Sequence, residues 1–501
     1  MQPTSIADRR HFNVLLVLAS VALSVVAILR DPIINDDGVF YLMLAREAAT
    51  NGIAASFALF DRPLYPILIA LLHQASGLPL LAGARLLDAA LLALLVVNFT
   101  RFAVLLCGER SLAPWIALLV LLFPQLNEYR SFLVRDFGFW ALLFGALVPL
   151  LRYQATQRWQ HGLAWAALGA GAAAFRPEAL LYLLLLPLAC LRGETKALRA
   201  MSAARLYACI GVLVLPPVLV LARFDLLQAP VDAIAGTLHA SLRELREGFA
   251  AASSSYAANV LDARAQDFAP VSLAAGLLAV LALKSLAVLG PLYCIVLGWG
   301  IVSGRAALPA VARGTWRALL AIALLIVGCF VLGRQFVTGR YVMMPCLLAL
   351  VPAALALRSL SVAARQTGRE RTFLLVAGIA IVLLLVDGFV SFGPQRDARP
   401  QAIAWMRANL PAGARVFGND RVLDHYSGGE FVWDDMMLAE ELILGGRAPL
   451  AGVDYWILRR DAHDRALDAA LAGYAPRLTP LGSFGDAHRR IEIYRVAPSN
   501  P

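Results

Sequence analysis

The chain has 501 residues, 60% of them hydrophobic and 16% charged, with a formal net charge of +10 and a mean hydropathy of +0.70. That is too apolar and too poor in charge for a water-soluble globular protein, and it implies a polytopic membrane protein. The surplus of Lys and Arg sits in short segments between apolar runs, the pattern of topogenic loops, so nucleic-acid binding is excluded as its purpose.

Arg9-Arg10 precede an apolar run that ends at Leu29. A secretory signal has this shape, but no small-x-small cleavage site follows, and a retained first span is expected. Immediately after it stands Asn35-Asp36-Asp37-Gly38-Val39-Phe40-Tyr41. An anionic side chain near hydrocarbon is costly unless it is hydrated, paired or used, and Asp36 and Asp37 are candidates for an acid-base centre. Two alternatives stand beside that reading. Asp37 has the chemistry of an N-cap for a helix starting near Val39, and paired carboxylates suit Mg or Mn, although no His or further acid lies close in sequence.

Apolar runs near 13–29, 84–106, 112–126, 131–151, 160–175, 178–191, 205–222, 285–303, 317–333, 341–357 and 372–390 give about eleven transmembrane helices, each able to cross roughly 30 Å of hydrocarbon. The runs 39–50 and 63–75 are too short to span and are expected to lie in the interface. The segment 269–284 reads either as an interfacial helix or as half of an extra hairpin. Arg9/Arg10, Arg152/Arg158, Arg192/Lys196/Arg199/Arg205, Arg305/Arg313/Arg317 and Arg358/Arg365/Arg369/Arg371 fall on one side if the N-terminus is cytoplasmic. The loops 30–83, 127–130, 176–177, 223–284 and 334–340 are then extracytoplasmic, as is the C-terminal tail.

From about Gly393 the composition becomes that of a soluble domain. The expected organisation is therefore a polytopic all-α membrane domain over 1–392 and a small extracytoplasmic α/β domain over 393–501. In the latter, 401–409 reads as a helix closed by Leu410-Pro411-Ala412-Gly413, and 414–418, 455–458 and 491–496 read as short strands. The six cysteines (Cys107, Cys190, Cys209, Cys294, Cys329, Cys346) contain no CxxC pair, and neither a metal site nor a disulfide framework is inferred.

Arg62, Arg130, Arg135, Arg176, Arg334 and Arg340 lie at outer span ends or in outer loops, against the bias that orients the chain. A guanidinium there needs a partner, and its fork suits phosphate or carboxylate. Asp61, Glu128, Asp136 and Glu178 stand beside them in sequence, so an internal ion pair is the alternative for each, for Arg135-Asp136 in particular. Arg340-Tyr341 is the better phosphate candidate because no acid lies within several residues. His73 reads as a structural histidine. In the tail, Asp420, Asp424 and His425 read as surface or capping residues or as an aid to acceptor recognition, and Glu430, Asp434 and Asp435 as a solvated face.

These residues resemble those of the GT-C-type glycosyltransferases that use polyprenyl-phosphate sugars, the group of the protein O-mannosyltransferases and the lipid A aminoarabinose transferases. The resemblance rests on the acidic pair with Phe40-Tyr41 and then Ala45-Arg46, on Arg62-Pro63-Leu64-Tyr65-Pro66, on Phe175-Arg176-Pro177-Glu178, on Gly339-Arg340-Tyr341-Val342-Met343-Met344-Pro345, and on Ala404-Trp405-Met406 through Leu410-Pro411-Ala412-Gly413-Ala414-Arg415-Val416. It spans nearly the whole chain, and its specificity lies in the order of short motifs. The usual first motif is Asp-Glu, two residues and Tyr; here the second acid is Asp and the aromatic at that spacing is Phe40, which leaves the base open between Asp36 and Asp37, with Asp37 preferred.

The resemblance implies an inverting hexosyl- or pentosyltransferase in a bacterial inner membrane. A polyprenyl-phosphate-linked sugar donor enters from the bilayer, an aspartate deprotonates an acceptor hydroxyl on a glycolipid, polysaccharide or protein, and arginines hold the departing lipid phosphate. Arg62, Arg176, Arg340 and Tyr341 are the implied phosphate-binding residues, with Tyr41, Tyr65, Arg130, Arg135, Asp136, Glu178 and Arg334 as further cavity candidates. No cofactor is required beyond the Mg or Mn alternative, and neither a P-loop nor a dinucleotide fingerprint is present. The rival readings are a transporter, whose charges mark a solute path, and a non-catalytic envelope glycan assembly factor of the same architecture.

Overall fold

In a computed structural model the described residues are 6–189, 196–223, 236, 239–240, 242–390, 398–411, 413–428, 430–431, 436–461, 464–486 and 489–497. Cys190, Arg192, the expected boundary at 392–393 and the side chains of Glu430, Asp434 and Asp435 lie outside them. The chain divides into two compact units. One comprises Met1–Ile28, Glu47–Arg130 and Val134–Phe389, the other Leu29–Arg46, Ser131–Leu133 and Val390–Pro501.

The first unit is helical. Among the described residues eight helices are long and apolar enough to cross a membrane, or nine if the pair Arg110–Leu121 and Pro124–Ser131, bent by 51°, is one span. The chain is thus a multi-pass membrane protein. The difference from eleven has local causes. The runs expected at 160–175 and 178–191 form shorter helices, Trp159–Phe175 and Ala179–Ala189. The run expected at 285–303 is split: a long helix ends at Leu289 and a short one, Pro291–Val302, begins with a proline that has no N–H to continue the ladder. Residues 269–284 therefore belong to a span-length apolar helix, Ala263–Leu289, separate from the short apolar helix Pro291–Val302. The runs 39–50 and 63–75 lie in helices Asp36–Asn51 and Leu64–Ser76.

Burial separates central from lipid-facing helices. The apolar window of Asp136–Thr156 is 83% buried, whereas that of Glu370–Phe389 is 11% buried and shows Leu374, Leu375, Val376 and Ile379 on its surface. Lipid tails are as apolar as leucine, so helices associate in a bilayer through close packing and interhelical hydrogen bonds. Both are present. Phe144 meets the edge of Phe99 at 4.9 Å and Phe102 at 5.5 Å; Asn98 Nδ2 donates to the Ala141 carbonyl at 3.0 Å and Tyr293 Oη to that of Leu119 at 2.8 Å. Arg130, buried to 2% exposure, ties the first helix to the bundle by donating to the Ser20 carbonyl and Ser24 Oγ, each at 2.9 Å.

The second unit is built on a five-stranded mixed sheet. With β1 Arg415–Gly418, β2 Glu430–Phe431, β3 Tyr455–Asp461, β4 Leu478–Gly485 and β5 Arg489–Val496, the order is β2-β1-β3-β5-β4. β1 is parallel to β2 and β3, and β5 is antiparallel to β3 and β4. The run Tyr455-Trp456-Ile457-Leu458 is continuously apolar because alternate residues enter two cores. Trp456 and Leu458 pack with Phe417, Leu467 and Tyr474; Tyr455 and Ile457 pack with Ala402, Met406, Val416 and Ile493. Helix Ala398–Asn409 covers the second of these faces. Asp420 and Asp464 cap helices Arg421–Ser427 and Arg465–Tyr474, accepting backbone N–H bonds in each first turn.

Candidate active site

In the second unit, the Val39 N–H donates to the Asn35 carbonyl at 3.2 Å, so the helix begins at Asp36 and both aspartates lie within its first turn. The alternative in which Asp37 is the N-cap of a helix starting near Val39 is thereby set aside. Carboxylates in this position are favoured by the unpaired N–H groups and the dipole of the helix start. Asn35 Oδ1 accepts the Leu133 N–H at 2.8 Å. Gly38 is required beside it: a Cβ there would stand 2.9 Å from Asn35 Oδ1 and 3.0 Å from Leu133 Cβ. Tyr41 is buried, and the Arg421 guanidinium lies over the Phe40 ring at 5.7 Å.

Asp36 is engaged by Arg399, whose Nη2 donates to Oδ1 at 2.9 Å. Arg399 also donates to Asp420 Oδ2 through Nη2 at 2.7 Å and Nε at 3.0 Å. The Asp420 carboxylate is fully buried, accepts the Val422 and Leu423 N–H groups, and has the Arg459 guanidinium at 3.8 Å. Burial alone lowers the pKa of Arg399, but Asp420 and Asp36 outweigh it and hold the group above its ordinary value. His425 lies beside this cluster in sequence; burial and the positive charge of Arg46 lower its pKa. One oxygen of Asp36 is engaged by a guanidinium, and the described residues contain no group of three or more His, Cys, Asp or Glu able to hold a metal.

The first unit holds a second charged cluster at helix ends. Asp136 opens a helix and is 3% exposed; it pairs closely with Arg176 Nη1 and faces Arg340 Nη1 at 4.0 Å. Arg176 Nη2 also donates to Glu178 at 2.7 Å, and its guanidinium stands over the Tyr341 ring at 5.3 Å. Tyr341 in turn stacks on Phe330 at 4.0 Å. Burial pulls the pKa of Arg176 down, yet Asp136 and Glu178 leave it above the usual guanidinium value. Gly138 makes this geometry accessible, because a Cβ there would come within 2.2 Å of the Phe175 ring, the residue before Arg176. Arg135 adds a third cation; it lies over Phe60 at 5.4 Å. Its Nη1, together with Thr338 Oγ1 and Glu178 Oε2, is buried without a hydrogen-bond partner among the described residues.

The structure thus brings Asp136, Arg176, Glu178, Arg340 and Tyr341 together. Other arginines singled out by sequence take other partners: Arg62 pairs with Asp61 at 3.0 Å on the surface, Arg334 with Glu244 at 2.6 Å, and Arg130 with neutral oxygens, including Asn127 Oδ1 at 2.7 Å. Tyr65 donates to both oxygens of Asp88, at 2.9 and 2.8 Å. Sequence reasoning missed Asp88, Arg399 and Thr338. Asp88 had a signal, a lone carboxylate inside an apolar run. Arg399 had none, since its partner lies 363 positions away.

Neither a protein-family model nor a curated protein sequence matches the chain. Among solved structures it is similar to the ArnT of Cupriavidus metallidurans bound to undecaprenyl phosphate, at 14% identity and a TM-score of 0.51, covering 96% of this chain and 98% of that one. It is also similar to the Archaeoglobus fulgidus oligosaccharyltransferase tethered to an acceptor peptide, at 14% identity and a TM-score of 0.54, covering 98% and 74%. The same enzyme in complex with Zn and sulfate matches at 16% identity and a TM-score of 0.52, covering 89% and 68%. The chain therefore has the fold of the GT-C-type membrane glycosyltransferases, the group its sequence motifs resemble.

Proposed function

We propose that the protein is an integral-membrane glycosyltransferase that moves a hexose or pentose from a polyprenyl-phosphate donor to an acceptor hydroxyl at the extracytoplasmic face, with Asp37 as the general base. Support comes from the fold shared with an enzyme solved with undecaprenyl phosphate. The observation that carries the reading is the cluster of Arg176, Arg340 and Arg135 around Asp136 and Glu178. Among the described residues three guanidinium groups lie by two carboxylates, and a buried N–H donor of Arg135 and a buried oxygen of Glu178 have no hydrogen-bond partner. The net positive charge of that set is suited to an anion. Arg62, whose pair with Asp61 is exposed, exchanges it for a phosphate at little cost.

In this reading the acceptor hydroxyl gives its proton to Asp37 while its oxygen attacks the sugar C1. The bond from C1 to the phosphate oxygen breaks, and the lipid phosphate leaves with the electron pair. Arg176 and Arg340 stabilise the charge that develops on it. A single displacement inverts the configuration at C1. The organisation proposed is a membrane domain over 1–392 with an extracytoplasmic domain over 393–501, in a bacterial inner membrane, acting on a glycolipid, polysaccharide or protein.

The test is to supply the purified protein in lipid nanodiscs with polyprenyl-phosphate sugars of several types and candidate acceptors, and to follow polyprenyl phosphate release and the anomeric configuration of the product. Release coupled to an inverted product is expected. Solute flux across vesicles without release identifies a transporter instead, and the absence of both identifies an assembly factor.

A further inference from the structure

Two adjacent aspartates in one helical turn project about 100° apart, so they meet different surroundings. Asp36 meets Arg399. That guanidinium is anchored from behind by Asp420, a carboxylate with no exposed surface that also caps helix Arg421–Ser427. An exposed ion pair between two free side chains is worth little, because both must be ordered to form it. Here one half is already ordered: the two bonds from Arg399 to Asp420 fix the guanidinium, and its Nη2 is held where Asp36 accepts it. On the other side of the same turn, the Asn35 contact to Leu133 and the close fit at Gly38 fix the rotation of the helix start.

We propose that Arg399 is a positioning residue: it clamps Asp36 as an anchor and so sets the orientation of the helix start that carries both aspartates. This rests on the reading of the acidic pair as the acid-base centre. It adds an anchoring role for Asp36 to the reading in which Asp37, the aspartate the sequence prefers, is the base, and it gives the segment beginning at Ala398 a part in the reaction without contact with the reacting atoms.

The experiment compares Asp36→Asn, Asp37→Asn, Arg399→Gln, Arg399→Lys and the double variant Asp36→Asn/Arg399→Gln in the full-length protein. It reads kcat, the KM for a polyprenyl-phosphate sugar, and the melting temperature. Asp36→Asn and Arg399→Gln are expected to lower kcat by a similar factor, on the order of ten- to a hundredfold, as a misplaced base does. Donor KM stays unchanged, and the double variant is no worse than the more severe single one. Arg399→Lys recovers part of the loss, whereas Asp37→Asn costs on the order of a thousandfold. Equal, near-total loss in Asp36→Asn and Asp37→Asn overturns the assignment, as does an Arg399→Gln variant with wild-type kcat.

Arg399→Gln also removes the guanidinium hydrogen-bonded to the buried Asp420; should that variant not fold, Asp36→Asn alone and combined with Arg399→Lys makes the same comparison. The melting temperature separates this proposal from the broader one. If the wild-type protein transfers no sugar, the glycosyltransferase reading falls, yet non-additive melting shifts still support the clamp and additive shifts overturn it.

Discussion

At the scale of single residues, the two charged clusters differ in what their removal exposes. Asp136 is buried and depends on Arg176, so Arg176→Gln strands a carboxylate and is expected to destabilise the protein by about 3–5 kcal/mol, measured by thermal unfolding. Arg176→Lys keeps the charge but loses the fork that serves Asp136 and Glu178 together; it is expected to unfold at an intermediate temperature. His425 gives a pH signature. Burial and Arg46 favour its neutral form in the folded state, so below its ordinary pKa the unfolded chain binds more protons. Its contribution is fully present above about 6.5 and is lost as pH falls towards the lowered folded value. Melting temperatures recorded between pH 8 and 5 are expected to show this loss, and His425→Gln to remove that part of the slope.

At the scale of elements, close approach decides where charge can be placed. Gly138→Ala drives a methyl group into the Phe175 ring and is expected to cost roughly 1–3 kcal/mol. It should also lower transfer activity by shifting Arg176, a pairing of effects that unfolding and turnover measurements separate. The elements themselves were largely legible in the sequence, since apolar runs of span length and the run Tyr455-Trp456-Ile457-Leu458 state their burial directly. The split near Gly290-Pro291 was harder to place because hydropathy is continuous across it, and only the missing proline N–H marks the break. The helix start at Asp36 was misplaced because Asn35, not Asp37, supplies the first intrahelical carbonyl. Partners were the least legible feature. Arg176 finds Glu178 two positions away, as the sequence suggests, but Asp136 turns from its neighbour Arg135 to Arg176, 40 positions on. Nothing local encodes that choice.

At the scale of the whole molecule, the arginine bias and the abrupt change in composition near 393 predict an N-terminus inside and a C-terminal domain outside. Protease added to intact inner-membrane vesicles of native, right-side-out orientation is expected to remove an epitope fused at the C-terminus and to spare one at the N-terminus. The chain shares its fold with ArnT and the oligosaccharyltransferase, while the sugar and acceptor of the proposed reaction depend on pocket shape and a few hydrogen bonds. The central claim is that this architecture transfers sugar from a polyprenyl phosphate with Asp37 as base. It is tested most directly by the rate at which purified wild-type protein and Asp37→Asn release polyprenyl phosphate from a labelled polyprenyl-phosphate sugar in the presence of acceptor. The account predicts acceptor-dependent release by the wild type and a loss on the order of a thousandfold in the variant; equal release by both would contradict it.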